Sequence, residues 1–252
     1  MKDRPLSLII LATLLCIALP VSATTDTFSN NYIPKITFSH FSTNEGLSQS
    51  TVVSSCQDKF GRMWFATHDG LNMFDGHRFT IYKNVQKDST SLINNIIRHV
   101  YCDNEGGIWI GTERGLSYYD ITKDSFRNFP TQNRPVSGIA KAGDEELMIA
   151  AGGNILFFDT DSWTLKTDCH IGQLESVDAT ILYRQEDNIW IGTRQDGLFC
   201  YSISSKEFRR ISAFTSNRSI QCIIMTSPHS LWIATEGDGL YCLNTTTDTS
   251  VN

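Results

Sequence analysis

The sequence predicts an all-β fold, a β-propeller built of four-stranded blades of about 42 residues, on three observations. One stretch, IWIGTERGLSYYD at 108–120, recurs as MWFATHDGLNMFD at 63–75, IWIGTRQDGLFCYS at 189–202 and LWIATEGDGLYCLN at 231–244, with LMIAAGGNILFFD at 147–159 as a degraded copy. The anchors of these copies, Trp64, Trp109, Met148, Trp190 and Trp232, are 45, 39, 42 and 42 residues apart. Propeller blades have this period, about 40–50 residues with four strands each. The apolar runs between turn residues are short and rich in aromatic and β-branched side chains, which suit strands.

Within a repeat each element has its own cause. The Trp-Ile-Gly-Thr strand carries side chains suited to a buried pleated surface. Gly-Leu two or three polar residues later marks a tight hairpin, where Gly accepts a positive φ. A third strand then ends at Asp75, Asp120, Asp159, Ser202 or Asn244, short polar side chains that start turns. The outer strand follows as FTIY at 79–82, FRNF at 126–129, LKTD at 165–168 and FRRI at 208–211. The innermost strand precedes the Trp strand, as in VVSSCQD at 52–58 and IRHVYCD at 97–103.

In chain order, residues 1–23 read as a cleavable secretory signal peptide: a short charged start, an apolar run over 6–19 and the small-residue site Val21-Ser22-Ala23. That run is too short for a membrane span, and no other stretch reaches about 18 apolar residues, so no membrane segment is expected in the chain. Residues 24–34 form a polar leader, and 35–252 the propeller. Its first part, 35–47, reads as an orphan outer strand, ITFSHF at 36–41. The blades are expected at 48–83, 92–129, 135–168, 176–211 and 219–252. The outer strand of the later blades begins six residues after the turn residue, which from Asn244 reaches Ser250, so the fifth blade is expected to be incomplete. Either 36–41 closes a five-bladed ring, or the chain is the front of a larger propeller; the second is preferred.

The formal charge is −6 and becomes −7 when Lys2, Arg4 and Asp3 leave with the signal peptide. A mildly acidic chain without a basic run is a poor nucleic-acid binder, because that affinity comes from neutralising phosphates. Six cysteines remain: Cys56, Cys102, Cys169, Cys200, Cys222 and Cys242. An even number in an exported chain invites disulfides. Cys200 and Cys242, however, fall in the slot that Met73, Tyr118 and Phe157 fill elsewhere, so the expectation is buried free thiols. No Cys/His spacing suggests zinc, and neither metal nor cofactor is expected.

No catalytic constellation is present, so the chain as given is not read as an enzyme. Asp58 and Asp103, six residues before their tryptophans, read as caps of the turn into the Trp strand; Arg184 and Thr226 replace them in later blades. Trp64, Trp109, Trp190 and Trp232 read as core residues rather than sugar-stacking platforms. The candidate ligand-binding residues are the hairpin tips: His68 and Asp69, Glu113 and Arg114, Arg194, Gln195 and Asp196, and Glu236 and Asp238. They share a face with the inter-blade links, such as 83–91 and 130–136, and they vary while the scaffold repeats.

The run GLSQSTVVSSCQDKFGRMWFATHDGLNMFDGHRFTIYKN at 46–84, and the copy at 94–129 with DNEGGIWIGTERGL, resemble blades of the two-component regulator propeller. The resemblance covers about residues 35–244 and is weakest in the third blade. It implies the periplasmic sensor of a hybrid two-component system histidine kinase, usually a seven-bladed ring followed by a linker domain, a membrane helix and kinase modules. It further implies sensing of polysaccharide-derived oligosaccharides, or another small periplasmic ligand, to control carbohydrate-utilisation genes, with a homodimer possible in the full-length protein. Seven such blades need about 300 residues, so the five present imply an incomplete ring lacking the kinase, linker and membrane parts. Two alternatives stay open: an exported propeller enzyme of lyase or quinone-dependent dehydrogenase type, and a protein-interaction scaffold.

Overall fold

The computed structural model describes residues 37–103, 105–166, 177–214, 216–247 and 249–251. The expected signal peptide, leader and Cys169 lie outside the described residues. The propeller lies in the unit Phe41–Asn252.

Five blades follow one another, each a four-stranded antiparallel meander in chain order. Blade 1 holds β1 (Val52–Gln57), β2 (Met63–Thr67), β3 (Gly70–Phe74) and β4 (Phe79–Tyr82). Blade 2 holds β5 (Ile97–Cys102), β6 (Ile108–Thr112), β7 (Gly115–Asp120) and β8 (Ser125–Pro130). Blade 3 holds β9 (Val136–Lys141), β10 (Glu146–Ala151), β11 (Asn154–Asp159) and β12 (Thr164–Lys166). Blade 4 holds β13 (Ala179–Gln185), β14 (Asn188–Thr193), β15 (Leu198–Ser202) and β16 (Phe208–Arg210). Blade 5 holds β17 (Ile220–Ser227), β18 (Ser230–Thr235), β19 (Leu240–Asn244) and β20 (Thr249–Val251).

Two expectations are corrected here. The fifth blade has its outer strand. Asn244 pairs with Thr249 just as Asp120 pairs with Ser125 and Asp159 with Thr164, so pairing starts five residues after the turn residue rather than six. Residues 37–41 form no strand. The Phe41 ring instead packs on Phe74 and Phe79 of blade 1, and Ser42 and Glu45 close a capping box around a 3-10 turn at Thr43–Glu45.

The core sits between blades. Inner strands β1, β5, β9, β13 and β17 neighbour one another in succession. Four apolar clusters fill the four interfaces, and the second strand of each blade feeds the cluster it shares with the next. Trp64 meets Tyr119 of blade 2 with ring centroids 5.3 Å apart, and Trp109 meets Phe158 of blade 3 at 5.3 Å. Met148 fills the Trp slot of blade 3 and is fully buried. Gly111 is small because the next inner strand passes over it: a Cβ there would lie 2.5 Å from the Val136 carbonyl oxygen.

The ends differ from the middle. Trp232 is only half-buried, while Trp64, Trp109 and Trp190 are at most 2 % exposed. At the other end, Val52 and Val53 of β1 are about 40 % exposed.

The free-thiol expectation is also corrected. Cys56 of β1 and Cys102 of β5 form a disulfide that joins blades 1 and 2, with Cα atoms 5.9 Å apart. Adjacent inner strands run side by side, so cysteines one position apart in the repeat, eight residues before Trp64 and seven before Trp109, come within bonding reach. The packing slot of Cys200 and Cys242 belongs to the third strand and does not carry over. Cys200 is buried, as expected, but Cys222 is exposed and Cys242 half-buried.

Candidate functional site

Hairpin tips and inter-blade links share one face. Backbone N–H groups at the tips donate to the links: Gly70 to the Asn95 carbonyl at 2.8 Å, Arg194 to Asp178 at 2.9 Å and Glu236 to Ser219 at 2.8 Å. A repeated hydroxyl closes the hairpins. Thr67, Thr112, Thr193 and Thr235 donate to the carbonyls of Gly70, Gly115, Gly197 and Gly239 at 2.7–2.9 Å. Gly115 has φ 151°, and a Cβ would lie 2.5 Å from the Phe129 carbonyl oxygen, so only glycine fits the turn. In blade 3 Ala151 lacks the hydroxyl, and Gly152-Gly153 turn the chain instead.

The predicted tip residues divide into tethered and open ones. Asp69 pairs with Lys83 at 2.7 Å, Glu113 pairs with Arg98, and Arg194 pairs with Asp178 at 2.7 Å. Glu236 accepts from Gln221 at 3.2 Å. Asp238 accepts the Tyr241 hydroxyl at 2.7 Å; hydrogen bonds from Ser216 and Tyr241 hold its carboxyl below the usual range, so it braces its own hairpin. His68, Arg114, Gln195 and Asp196 are exposed.

What sequence reasoning missed is the bulge. All five inner strands shift register near their tip-face ends, at Val53, Arg98, Ser137, Thr180 and Gln221. A bulge turns a side chain out of the ladder. Arg98 and Gln221 thereby reach the tips of their own blades, while Ser137 and Thr180 donate to Ala179 and Ile220 carbonyls of the next blade at 2.8 and 2.6 Å. No residue pattern marks these positions, since the five side chains share no chemistry.

On the opposite face the expected caps appear, with a second task. Asp58 Oδ1 accepts backbone N–H bonds from Phe60 and Arg62 at 2.9 and 3.0 Å, and its Oδ2 accepts the Trp64 indole N–H at 2.9 Å. Burial pushes this carboxyl up, but the bonds from Trp64 and Arg62 win and hold it below its usual range. Asp103 repeats the pattern with Glu105, Gly107 and Trp109. The D-x5-W spacing carried that signal.

Between blades 2 and 3 this face opens into a cavity of ≈ 540 Å³, bordered by Trp109, Tyr118 and Trp163 and by acids including Glu105 and Glu145. Trp163 has φ 57°, stacks on Trp109 at 5.7 Å and carries the Arg127 guanidinium 4.0 Å from its ring centre. Lys141 pairs with Glu105 at 2.9 Å across the rim. Among the described residues no group of three or more His, Cys, Asp or Glu could hold a metal, and no helix is long and apolar enough to cross a membrane.

The model of the family Two component regulator propeller matches residues 46–69 and 91–114. Those segments are the first strands and hairpin tips of blades 1 and 2. Over 55 residues the chain is 54% identical to Histidine kinase P4 of Formosa agariphila, covering 22% of this chain and 4% of that protein. A crystal structure of the extracellular domain of a protein described as a hybrid two component system, from B. thetaiotaomicron, matches with TM-score 0.71 and 29% identity over 85% of this chain and 31% of that one. A second such extracellular domain from the same organism matches with TM-score 0.51 and 18% identity, over 80% of this chain and 36% of that one, a likeness of fold. The chain thus spans about a third of the structures it resembles and a small part of the kinase. Residues 46–69 and 91–114 thus carry two component regulator propeller repeats, and the five four-stranded blades share the fold of the extracellular domain of a hybrid two component system.

Proposed function

We propose that this chain is the ligand-sensing part of a periplasmic seven-bladed propeller in a sensor histidine kinase, and that its ligand is a polysaccharide-derived oligosaccharide contacted on the hairpin-tip face. One observation carries the choice of face. The scaffold there repeats from blade to blade, through threonine-closed hairpins and bulged inner strands, while the tips vary among Asp69–Lys83, Glu113–Arg98, Arg194–Asp178 and Glu236–Gln221. A constant frame with variable polar ends suits recognition of a polar ligand. The Cys56–Cys102 bridge supports an oxidising compartment such as the periplasm, consistent with export by a cleavable signal peptide.

Two more blades would cover Trp232 as blade 2 covers Trp64, which supports the larger ring. Calorimetric titration of the chain with oligosaccharides from polysaccharide digests tests the sensing reading. Binding by at least one of them, weakened by Glu113→Ala or Arg194→Ala, is the expected result. Silence across the set, or binding indifferent to the tip variants, refutes it.

A further inference from the structure

Among the described residues, two buried side-chain nitrogens lack a hydrogen-bond partner: Arg62 Nη2 and Trp190 Nε1. The Arg62 guanidinium already binds Asp58 through Nε at 2.7 Å. Trp190 has no such relief. In its sister blades the indole N–H finds an acceptor six residues upstream: Asp58 for Trp64, Asp103 for Trp109, and Thr226 Oγ1 for Trp232 at 3.0 Å. Blade 4 has Arg184 at that position, a side chain that can only donate. Its guanidinium turns elsewhere, to the Glu186 carbonyl at 3.1 Å and the Lys141 carbonyl of blade 3 at 3.0 Å. The Trp190 donor, on a side chain 2 % exposed, is therefore left over. Buried donors are nearly always paired, so one without an acceptor calls for a partner.

Trp190 also borders a cavity of ≈ 480 Å³ between blades 4 and 5, walled by Glu186, Arg209, Met225, Pro228 and His229. This is the counterpart of the blade 2–3 cavity, without its excess of carboxylates. There the wall is rich in carboxylates; here Arg209 and His229 face one acid, Glu186. Met225 and Pro228 offer an apolar flank.

We propose that the cavity between blades 4 and 5 is a binding site for a small carboxylate-bearing ligand, whose oxygen accepts the Trp190 indole N–H while Arg209 supplies the countercharge. The ligand carboxylate takes the place that Asp58 and Asp103 hold in their blades. The site lies on the face opposite the hairpin tips and stands whether or not an oligosaccharide binds there.

D-glucuronate is the probe, with D-glucose as the neutral ring that lacks only the carboxylate. In the purified full chain, glucuronate should bind by calorimetry and shift one indole 1H–15N resonance, the one absent from the Trp190→Phe spectrum; glucose should do neither. Trp190→Phe keeps the ring and removes the donor, and should weaken glucuronate about tenfold or more, as for a lost bond to a charged acceptor. Arg184→Asp restores the acceptor found in blades 1 and 2 and should abolish binding, whereas Arg184→Ala should leave it intact. Circular dichroism melts establish that each variant is folded; should Trp190→Phe unfold the chain, calorimetric binding of glucuronate but not glucose, and its loss in folded Arg184→Asp but not Arg184→Ala, decide. Glucuronate without effect on that resonance overturns the proposal, and so does glucose binding equally well or a folded Trp190→Phe with unchanged affinity.

Discussion

Trp109 and Trp232 occupy the same slot of homologous repeats and meet different surroundings. Trp109 is 2 % exposed and is enclosed by Phe158 and Trp163 of the following blade. Trp232 makes the equivalent bond to its upstream residue, Thr226, yet is half-buried, with no blade among the described residues packed on its outer side. A propeller blade therefore does not bury its own anchor; its successor does. Stability in such a fold resides in interfaces, as in other repeat architectures.

The largest expected effect comes from that contrast. Trp109→Ala empties a closed interface and should cost about 3–5 kcal/mol. Trp232→Ala removes a half-exposed ring and should cost about 1–2 kcal/mol. Denaturant melts read both values, and equal losses would mean that the end blade is as well enclosed as the interior ones.

The disulfide sharpens the comparison at the other end. Blade 1 has exposed Val52 and Val53 on its outer side and is stapled to blade 2 through Cys56–Cys102, which closes a loop across a sequence separation of 46. Loop-closure entropy puts the stabilisation at about 4 kcal/mol. Cys56→Ser should lower global stability by up to that amount and, in hydrogen exchange, release β1–β4 ahead of blades 2–4. Uniform loss of protection would show that blade 1 draws its order from elsewhere.

The same interface carries a pH dependence. Burial lowers the pKa of half-buried His99 on β5 from 6.5 to about 4, and its Nδ1 lies 3.5 Å from Ser54 Oγ of β1. A depressed histidine takes up its proton first in the unfolded chain. Its contribution is thus intact above the unfolded value of 6.5, falls as the pH drops from there towards 4, and is gone below that. At about 1.4 kcal/mol per unit, the loss is at most about 3 kcal/mol, less what solvent screens. Asp120 and Asp159 titrate lower, near 2. Thr122 and Lys123 hold down the first, and Ser162 and Lys166 the second, so their window does not overlap that of His99. Melts of His99→Gln between pH 7 and 4 should be flatter than those of the unsubstituted chain; parallel curves would assign the dependence to other groups.

The sequence made the blades legible because repetition multiplies a weak strand signal by five, and the D-x5-W spacing marked the turns. Three features escaped it, each for a nonlocal reason. The disulfide depends on two inner strands lying side by side, which no within-blade slot reveals. The bulges at Val53, Arg98, Ser137, Thr180 and Gln221 come from backbone register and carry no common side chain. The orphan strand expected at 36–41 followed from its Phe-x-x-Phe spacing, but spacing does not supply a partner, and Phe41 settles on Phe74 and Phe79 instead. Of the candidate site, the tips were readable as exposed and variable; their tethers to Lys83, Arg98, Asp178 and Gln221 were not.

The smallest expected effect separates a tip from the scaffold beneath it. Glu113 pairs with Arg98, but the two side chains are 26% and 47% exposed, and ion pairs at such positions contribute little. Its backbone N–H donates to the Ile96 carbonyl at 3.0 Å, and the hairpin below is closed by the Thr112 hydroxyl, neither of which needs the carboxylate. Glu113→Ala should therefore change stability by no more than about 0.5 kcal/mol. Thr112→Val, which keeps the shape but leaves the Gly115 carbonyl without its buried donor, should cost more, about 1–3 kcal/mol. If the two variants melt alike and well below the unsubstituted chain, Glu113 is part of the frame, and its face loses the division between constant support and variable contact on which the ligand assignment rests.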